Sequence, residues 1–392
     1  MTNDDFVTIR GTRYGFKYDK LNLYELGITD IAEIEGLEHL TNLQKLDLSG
    51  NQIEEIKGLD HLANLTELSL SNQLYDFWRE LKQLKGTQLF EKISEELRNL
   101  EQLTDLSMLD RIRPDIWYSK TLFEISGLEN LTKLKILNLS NNAIEELRGL
   151  ENLTNLQELY LGHNQIAEIK GLENLKNLRI LDLKYNQIEE IEGLEILTNL
   201  QKFCLGGNEI KEIKGLENLI RLKELDLNWN KLEEIKGLEE LTNLEILNLS
   251  DNQIIELKGL GTLTKLQKLT LDSNQIVEIQ GLDNLTKLQA LSLRYNQIKE
   301  IKGLEFLKEL SSLDLESNRI IEIKGLETLT NLEELKLLDN PIKDEDWEDI
   351  TWFGIGSELD SESDYHLKPA KDIIIYCQEK AKQKRIEEYY GN

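Results

Sequence analysis

Histidines, cysteines and clustered carboxylates are the side chains with which a chain most often does chemistry, and here they are few and dispersed. The four histidines, His39, His61, His163 and His366, stand apart, and His39 and His61 occupy one place in a 22-residue pattern where a solvated imidazole is expected. Catalysis would need groups that converge in a pocket with tuned pKa values. Cys204 and Cys377 form no CxxC pair, which speaks against a redox or zinc motif and for a reducing compartment. Asp360, Glu362 and Asp364 share the alternating start of a calcium loop, but Tyr365 stands where that loop needs Gly and the late Glu is missing. No Gly-rich phosphate loop, metal-ligand cluster or nucleophile elbow is present. The sequence thus predicts no enzyme, no catalytic residue, no metal and no cofactor.

The remaining chemistry is recognition, and it is visible only against the pattern that carries it. Gly127 to Arg148 reads GLENLTKLKILNLSNNAIEELR, Gly149 to Lys170 reads GLENLTNLQELYLGHNQIAEIK, and units opening with Gly-Leu recur every 22 residues to Gly325. Repetition at this period signals a solenoid, in which each coil is covered by the coils before and after it. Within Leu-x-x-Leu-x-Leu-x-x-Asn, alternation such as Leu46-Asp47-Leu48 makes a short strand, and successive strands stack as a parallel sheet. The ninth-position Asn recurs from Asn51 and Asn142 to Asn340. Its amide is suited to satisfy loop N–H and C=O groups, so this column is structural.

In chain order, residues 1–35 read as an N-terminal cap and a degenerate repeat; FVTIRGTRYGFKY alternates like a hairpin, and counting back from Gly36 puts Leu21, Tyr24, Leu26, Ile31 and Ile34 on repeat positions. Residues 36–72 hold repeats 1 and 2. The register then breaks, and residues 73–120 read as a helical insertion, with Leu74, Phe77, Trp78, Leu81 and Leu84 at helical spacing. Repeats 3 to 12 fill 121–346, and 347–392 read as an acidic segment followed by an amphipathic capping helix that offers Ile373, Ile374, Tyr376 and Cys377 to the last coil.

The unit Gly-Leu-x-x-Leu-x-x-Leu-x-x-Leu-x-Leu-x-x-Asn-x-Ile-x-x-Ile-x resembles the 22-residue class of leucine-rich repeats, over roughly residues 21–72 and 121–343. That class includes the SDS22-like regulators of type-1 protein phosphatase and the bacterial internalins. The resemblance implies an α/β solenoid: a leucine-rich repeat horseshoe with a parallel concave β-sheet, here with a helical hairpin insertion and a C-terminal capping helix. The SDS22-like branch is the nearer one, because MTNDDFVTIRG shows no secretory pattern; it implies an intracellular, cytoplasmic protein that binds a partner on the concave face.

The informative positions are those the repeat leaves free. The third, fifth and seventh point out of the sheet and the eighth lies on its rim. Tyr160, Asp182 and Asp226 are at the fifth, Arg294 at the seventh, and His163, Tyr185, Trp229 and Tyr295 at the eighth. Aromatics ringed by polar groups are the usual anchors of protein interfaces, so these residues are the predicted partner-binding site, with Tyr160, Tyr185 and Trp229 as anchors. Gly162, Gly206 and Gly207 leave room beside them, and Trp78 and Trp117 of the insertion are assigned to the same interface. Twelve strands at about 4.8 Å spacing make a face roughly 50 Å long, enough for the ~800 Å² per side of an ordinary protein interface.

Charge narrows the partner. With 73 acidic against 46 basic residues and a net charge of −27, the chain lacks the basic face that a phosphate backbone needs. Nucleic acid, membrane and small-molecule partners are not expected. The predicted function is a non-catalytic intracellular protein-binding scaffold, or more narrowly an SDS22-like regulatory subunit of a phosphatase or other signalling enzyme.

Overall fold

The computed structural model describes residues 6–72, 122, 124–343, 373–380 and 382, in two compact units, Met1–Gln187 and Ile188–Asn392. The first opens with an antiparallel hairpin of β1 (Phe6–Ile9) and β2 (Thr12–Gly15), and β1 also pairs with β4 (Ile34–Glu35). Its parallel sheet runs from β3 (Lys20–Asn22) through β5 (Lys45–Asp47), β6 (Glu67–Ser69), β7 (Ile136–Asn138) and β8 (Glu158–Tyr160) to β9 (Ile180–Asp182). Ser69 and Asn138 face each other in register, so the sheet continues from the second repeat to the third across the inserted sequence. The second unit carries β10 (Lys202–Cys204), β11 (Glu224–Asp226), β12 (Ile246–Asn248), β13 (Lys268–Thr270), β14 (Ala290–Ser292), β15 (Ser312–Asp314) and β16 (Glu334–Lys336), all parallel and in sequence order.

Each coil follows from its leucines. Leu150, Leu153, Leu156, Leu159 and Leu161 are fully buried, as are their counterparts one repeat on, Leu172, Leu175, Leu178, Leu181 and Leu183. Each such side chain contributes about 1.5–3 kcal/mol by leaving water. The return from Asn to the next strand winds as single turns, Leu153 N–H to Leu150 O and Leu156 N–H to Leu153 O, because 22 residues leave no length for a helix there. The opening Gly is required where it stands: at Gly171 φ is +91°, and a Cβ would lie 2.2 Å from the Leu147 carbonyl oxygen of the preceding coil.

The ninth-position asparagines form the expected ladder. Asn164 donates through Nδ2 to Leu161 O in its own coil and Leu139 O in the coil before, while its Oδ1 accepts from Ile144 N–H. A second amide series binds the turn side: Asn64 donates to Thr41 O, Asn152 to Glu129 O and Asn284 to Gly261 O. These asparagines sit in Asn-x-Ser/Thr triplets, and carbonyl bonding between coils is the reason for them.

The first coil corrects the sequence reading. Leu21 pairs with Leu46 and Asn22 with Asp47, so this coil is three residues longer than a 22-residue count from Gly36 allows. Leu21 and Leu23 are the buried strand pair, Leu26 stands opposite the Asn51 amide, and Tyr24 is exposed. The extra length makes the 3-10 turn Ile31–Glu33, capped reciprocally by Asp30 and Glu33. Burial works against ionisation of Glu33, but bonds from the Thr29 hydroxyl and N–H, from Arg10 and from Asp30 N–H outweigh it and lower its pKa to about 2.

At the other end, residues 373–380 form helix α1, which buries Ile373, Ile374, Tyr376 and Cys377. Cys377 Sγ lies 3.6 Å from Ile323 O, and Gln378 Nε2 donates to Glu327 O at 2.9 Å. The helix therefore caps late coils, as its amphipathic pattern predicts. The insertion helices and the acidic segment lie outside the described residues.

Candidate protein-binding face

The strands present their middle residue inward and the flanking third and fifth residues outward, half exposed in most strands. The fifth position also does local work that the sequence reading missed. Asp47, Asn138, Asp182, Asp226, Asn248 and Asp314 each turn Oδ1 back to the N–H two residues on, at 3.0–3.2 Å. This is the side-chain turn that Asp and Asn favour. Asp182 and Asp226, predicted as specificity charges, are therefore first of all caps of Lys184 and Asn228. The signal was in the sequence as Asp/Asn recurrence at one motif position.

Beyond the cap the interstrand ladder runs on for two residues. The eighth-position N–H bonds to a carbonyl of the next coil, as His163 to Lys184 O at 2.7 Å and Trp229 to Ser250 O at 2.9 Å. The eighth residue takes a left-handed backbone in every described coil from Gly50 to Asp339, with φ from 53° at Tyr185 to 72° at Gly207. Gly50, Asn72, Asn141, Gly207, Asp251 and Asp339 are residue types that tolerate that conformation. Tyr185, Trp229 and Tyr295 are not, since a left-handed L-residue costs roughly 1–2 kcal/mol.

In the first unit, His163 and Tyr185 stack with ring centroids 4.4 Å apart and planes at 22°. His163 and Tyr185 are exposed, and Tyr160 is half-buried with its hydroxyl donating to Glu158 Oε2 at 2.8 Å. The structure thus joins His163 to Tyr185. A Cβ on Gly162 would meet Asp182 Oδ1 at 3.5 Å, an ordinary contact.

In the second unit, Trp229 is half-buried, with Asp226 on the strand before it. Cys204, at the fifth position of β10, is 4 % exposed and belongs to the core. One reading is corrected here. Gly206 leaves no room for a partner, because a Cβ there would fall 1.8 Å from Asn228 Oδ1; the neighbouring coil's side chain already fills the space. Gly207 is explained by its backbone conformation.

Further along this unit, Arg294 lies over Tyr295 at 4.7 Å from the ring centroid and donates to its hydroxyl. Its Nε stands 3.1 Å from Glu316 Oε2, a charge contact without hydrogen-bond alignment. Lys336 contacts Asp314 at 3.5 Å and Glu334 at 3.1 Å. Asp272 accepts from the Ser292 hydroxyl and from Arg294 N–H through one oxygen, Oδ1. Burial pushes its carboxyl above the usual range, with Asp314 adding repulsion and the two hydrogen bonds opposing the rise. In sequence Asp272 is one of the variable seventh-position residues, and nothing in the repeat marks it as half-buried. Trp78 and Trp117 lie outside the described residues. No group of His, Cys, Asp and Glu among the described residues could hold a metal ion.

A parallel β-solenoid built from a 22-residue unit, with an inward Asn ladder and a variable outer strand face, defines a class of repeat protein. Family profiles described as leucine-rich repeats match residues 19–61, 41–85 and 154–195, residues 123–166 and residues 205–318; the chain is a leucine-rich repeat protein. It is similar to an internalin, InlF, of Listeria monocytogenes, at 28 % identity over 83 % of this chain and 82 % of that one, with a TM-score of 0.65. A leucine-rich repeat protein of Leptospira interrogans shares 23 % identity over 87 % and 95 %, with a TM-score of 0.57. YopM from Yersinia enterocolitica shares 21 % over 83 % and 56 %, also at 0.57. The latter two likenesses are of fold alone. Comparison with curated proteins gives no match. The matching family profiles are those of leucine-rich repeats, and an internalin is among the solved neighbours.

Proposed function

We propose that this leucine-rich repeat protein is a non-catalytic, intracellular scaffold that binds a protein partner on its strand face and on the eighth-position edge beside it. One observation carries the reading: Tyr185, Trp229 and Tyr295 place large aromatic side chains at a left-handed backbone position that, besides His163, other coils give to the small or turn-forming residues Gly, Asn, Asp and Ser. Strain of this kind is retained where a function holds it, and exposed aromatics with charged neighbours are suited to anchoring a partner. The two cysteines are both buried and outside any disulfide, which suits a reducing compartment.

The test is affinity capture with the wild-type chain and with Tyr160, Tyr185 and Trp229 replaced together by Ala. Loss of a specific partner at unchanged melting temperature is the expected result; an unchanged partner set would show the site assignment to be wrong. The narrower form of the proposal is SDS22-like regulation of a phosphatase or other signalling enzyme. It predicts direct binding to such a catalytic subunit and a change in its activity, and an inert mixture refutes it. Fractionation that places the chain outside the cell refutes the localisation.

A further inference from the structure

The return that follows each ladder asparagine turns its second residue inward and its third outward, and the outward residue changes character along the chain. After Asn51, Asn142, Asn186 and Asn230 it is glutamate; after Asn252, Asn274 and Asn318 it is Ile255, Val277 and Ile321. Ile255 is 50 % exposed, Val277 39 % and Ile321 47 %, whereas the inward residues of the same returns, Ile254, Ile276 and Ile320, are fully buried. The core of these coils is complete without the outward column, and earlier coils hold the same position with an exposed glutamate. Nothing in the fold asks for an apolar side chain there.

Charge changes with it. The six uninterrupted returns before Asn252, residues 52–57, 143–148, 165–170, 187–192, 209–214 and 231–236, hold seven basic against twelve acidic residues; the next four, 253–258, 275–280, 297–302 and 319–324, hold five against four. Earlier in this unit a cation on the flank is answered from the coil before, Lys211 by Glu189 at 3.6 Å and Lys231 by Glu209. The coil before Lys299 offers Val277 at that place, and the coil before Arg319 offers Gln297. Neither of these two cations makes an ion pair among the described residues. A chain of net charge −27 thus carries, on one flank, exposed apolar side chains beside two uncompensated cations.

We infer that this flank of the coils, from Ile255 to Ile321, docks an acidic amphipathic helix of a protein partner. The backbone here is already paired from coil to coil, Gln275 N–H to Ile254 O and Gln297 N–H to Ile276 O at 2.9 Å, so no strand edge is offered and side chains carry the contact. Coils stack at about 4.8 Å, close to the helical pitch of about 5.4 Å. A helix laid along the stack therefore sets one apolar side chain per turn against Ile255, Val277 and, past Lys299, Ile321, in the manner of amphipathic helices on apolar surfaces. Carboxylates beside that apolar face meet Lys299 and Arg319, whereas a basic helix would bring like charge to them. This surface is separate from the strand face, and it stands or falls independently of the anchors named there.

The probe is a fluorescein-labelled helical peptide with one leucine per turn on one face and glutamate elsewhere, titrated into the full chain and followed by anisotropy. Control peptides replace its leucines by alanine or its glutamates by glutamine. The expected result is saturable binding of the acidic leucine peptide, weaker for both controls and weakened by salt. Ile255→Glu with Val277→Glu installs the residue that earlier coils carry, so the fold is kept, and should reduce binding by more than about tenfold at an unchanged melting temperature. Lys299→Gln with Arg319→Gln should weaken it about fivefold. Failure of the acidic peptide to bind, equal binding of the glutamine peptide, or binding that survives I255E with V277E overturns the inference. A wild-type dimer in sedimentation that the same double variant returns to monomer assigns the flank to a second copy. Binding that appears only when the acids of residues 344–364 are changed to amides assigns it to the chain's own sequence, and either result overturns the partner assignment.

Discussion

Two columns one residue apart behave in opposite ways. The ninth-position asparagines are buried, and their amides satisfy carbonyls and N–H groups of two coils in a neutral, directional network; Asn230 alone bonds Leu205 O, Leu227 O and Asn228 O and accepts from Ile210 N–H. The eighth-position residues share one left-handed backbone conformation, yet their side chains range from none at Gly207 to indole at Trp229. The first column is uniform because the fold has a single solution there. The second is constrained in backbone alone, so its side chains are free to record something other than stability. Where the residue type runs against the backbone preference, as at Tyr185 and Trp229, the proposal is that partner binding keeps it there.

The largest effect that would sharpen this contrast is Asn230→Ala, which orphans several buried backbone groups and should cost about 3 kcal/mol or more; a loss under about 1 kcal/mol in chemical denaturation would mean the ladder is not what holds the coils. Placing an aromatic where the fold has none, Gly207→Tyr, should cost roughly 1–2 kcal/mol through the left-handed conformation. A neutral result there would remove the argument from strain. Tyr185→Asn relieves that strain and loses the stack on His163, worth about 0.5–1.5 kcal/mol, so its stability should stay within about 1 kcal/mol of wild type while partner binding falls. If the melting temperature collapses instead, the rim aromatic belongs to the fold.

The smallest effect separates the amide ladder from the carboxylate cap of the first coil. Glu33 is stabilised as the anion, with its pKa lowered to about 2 from 4.5, so the stability it contributes is fully present above the unfolded value and is lost as pH falls from 4.5 towards 2. The amides of Asn51 and Asn142 do not titrate. Hydrogen exchange at Ala32 and Glu33 should therefore quicken in that window, ahead of exchange in the ladder, and Glu33→Gln should remove the difference between the two regions.

Much of this was open to reading. The 22-residue period, the inward leucines, the Asn ladder and the capping helix over 373–380 follow from the spacing of residues whose burial each coil requires of its neighbours. The eighth-position aromatics stood out as unneeded by any strand. The first coil was misframed because counting by the period ignored the alternation Leu21-Asn22-Leu23, which is what the sheet pairs.

By itself, then, the sequence determined the repeat, its core and the set of variable positions, since periodic burial is written into residue order. Only the tertiary structure decided what those positions experience. Whether a fifth-position acid is a cap, whether Gly206 is a space or a contact with Asn228, whether a rim residue is strained, and which of many acids burial holds above its usual range all depend on the packing of neighbouring coils. Those neighbours lie twenty or more residues away in sequence and within hydrogen-bond distance in space, and their mutual orientation is set by packing that no single repeat contains.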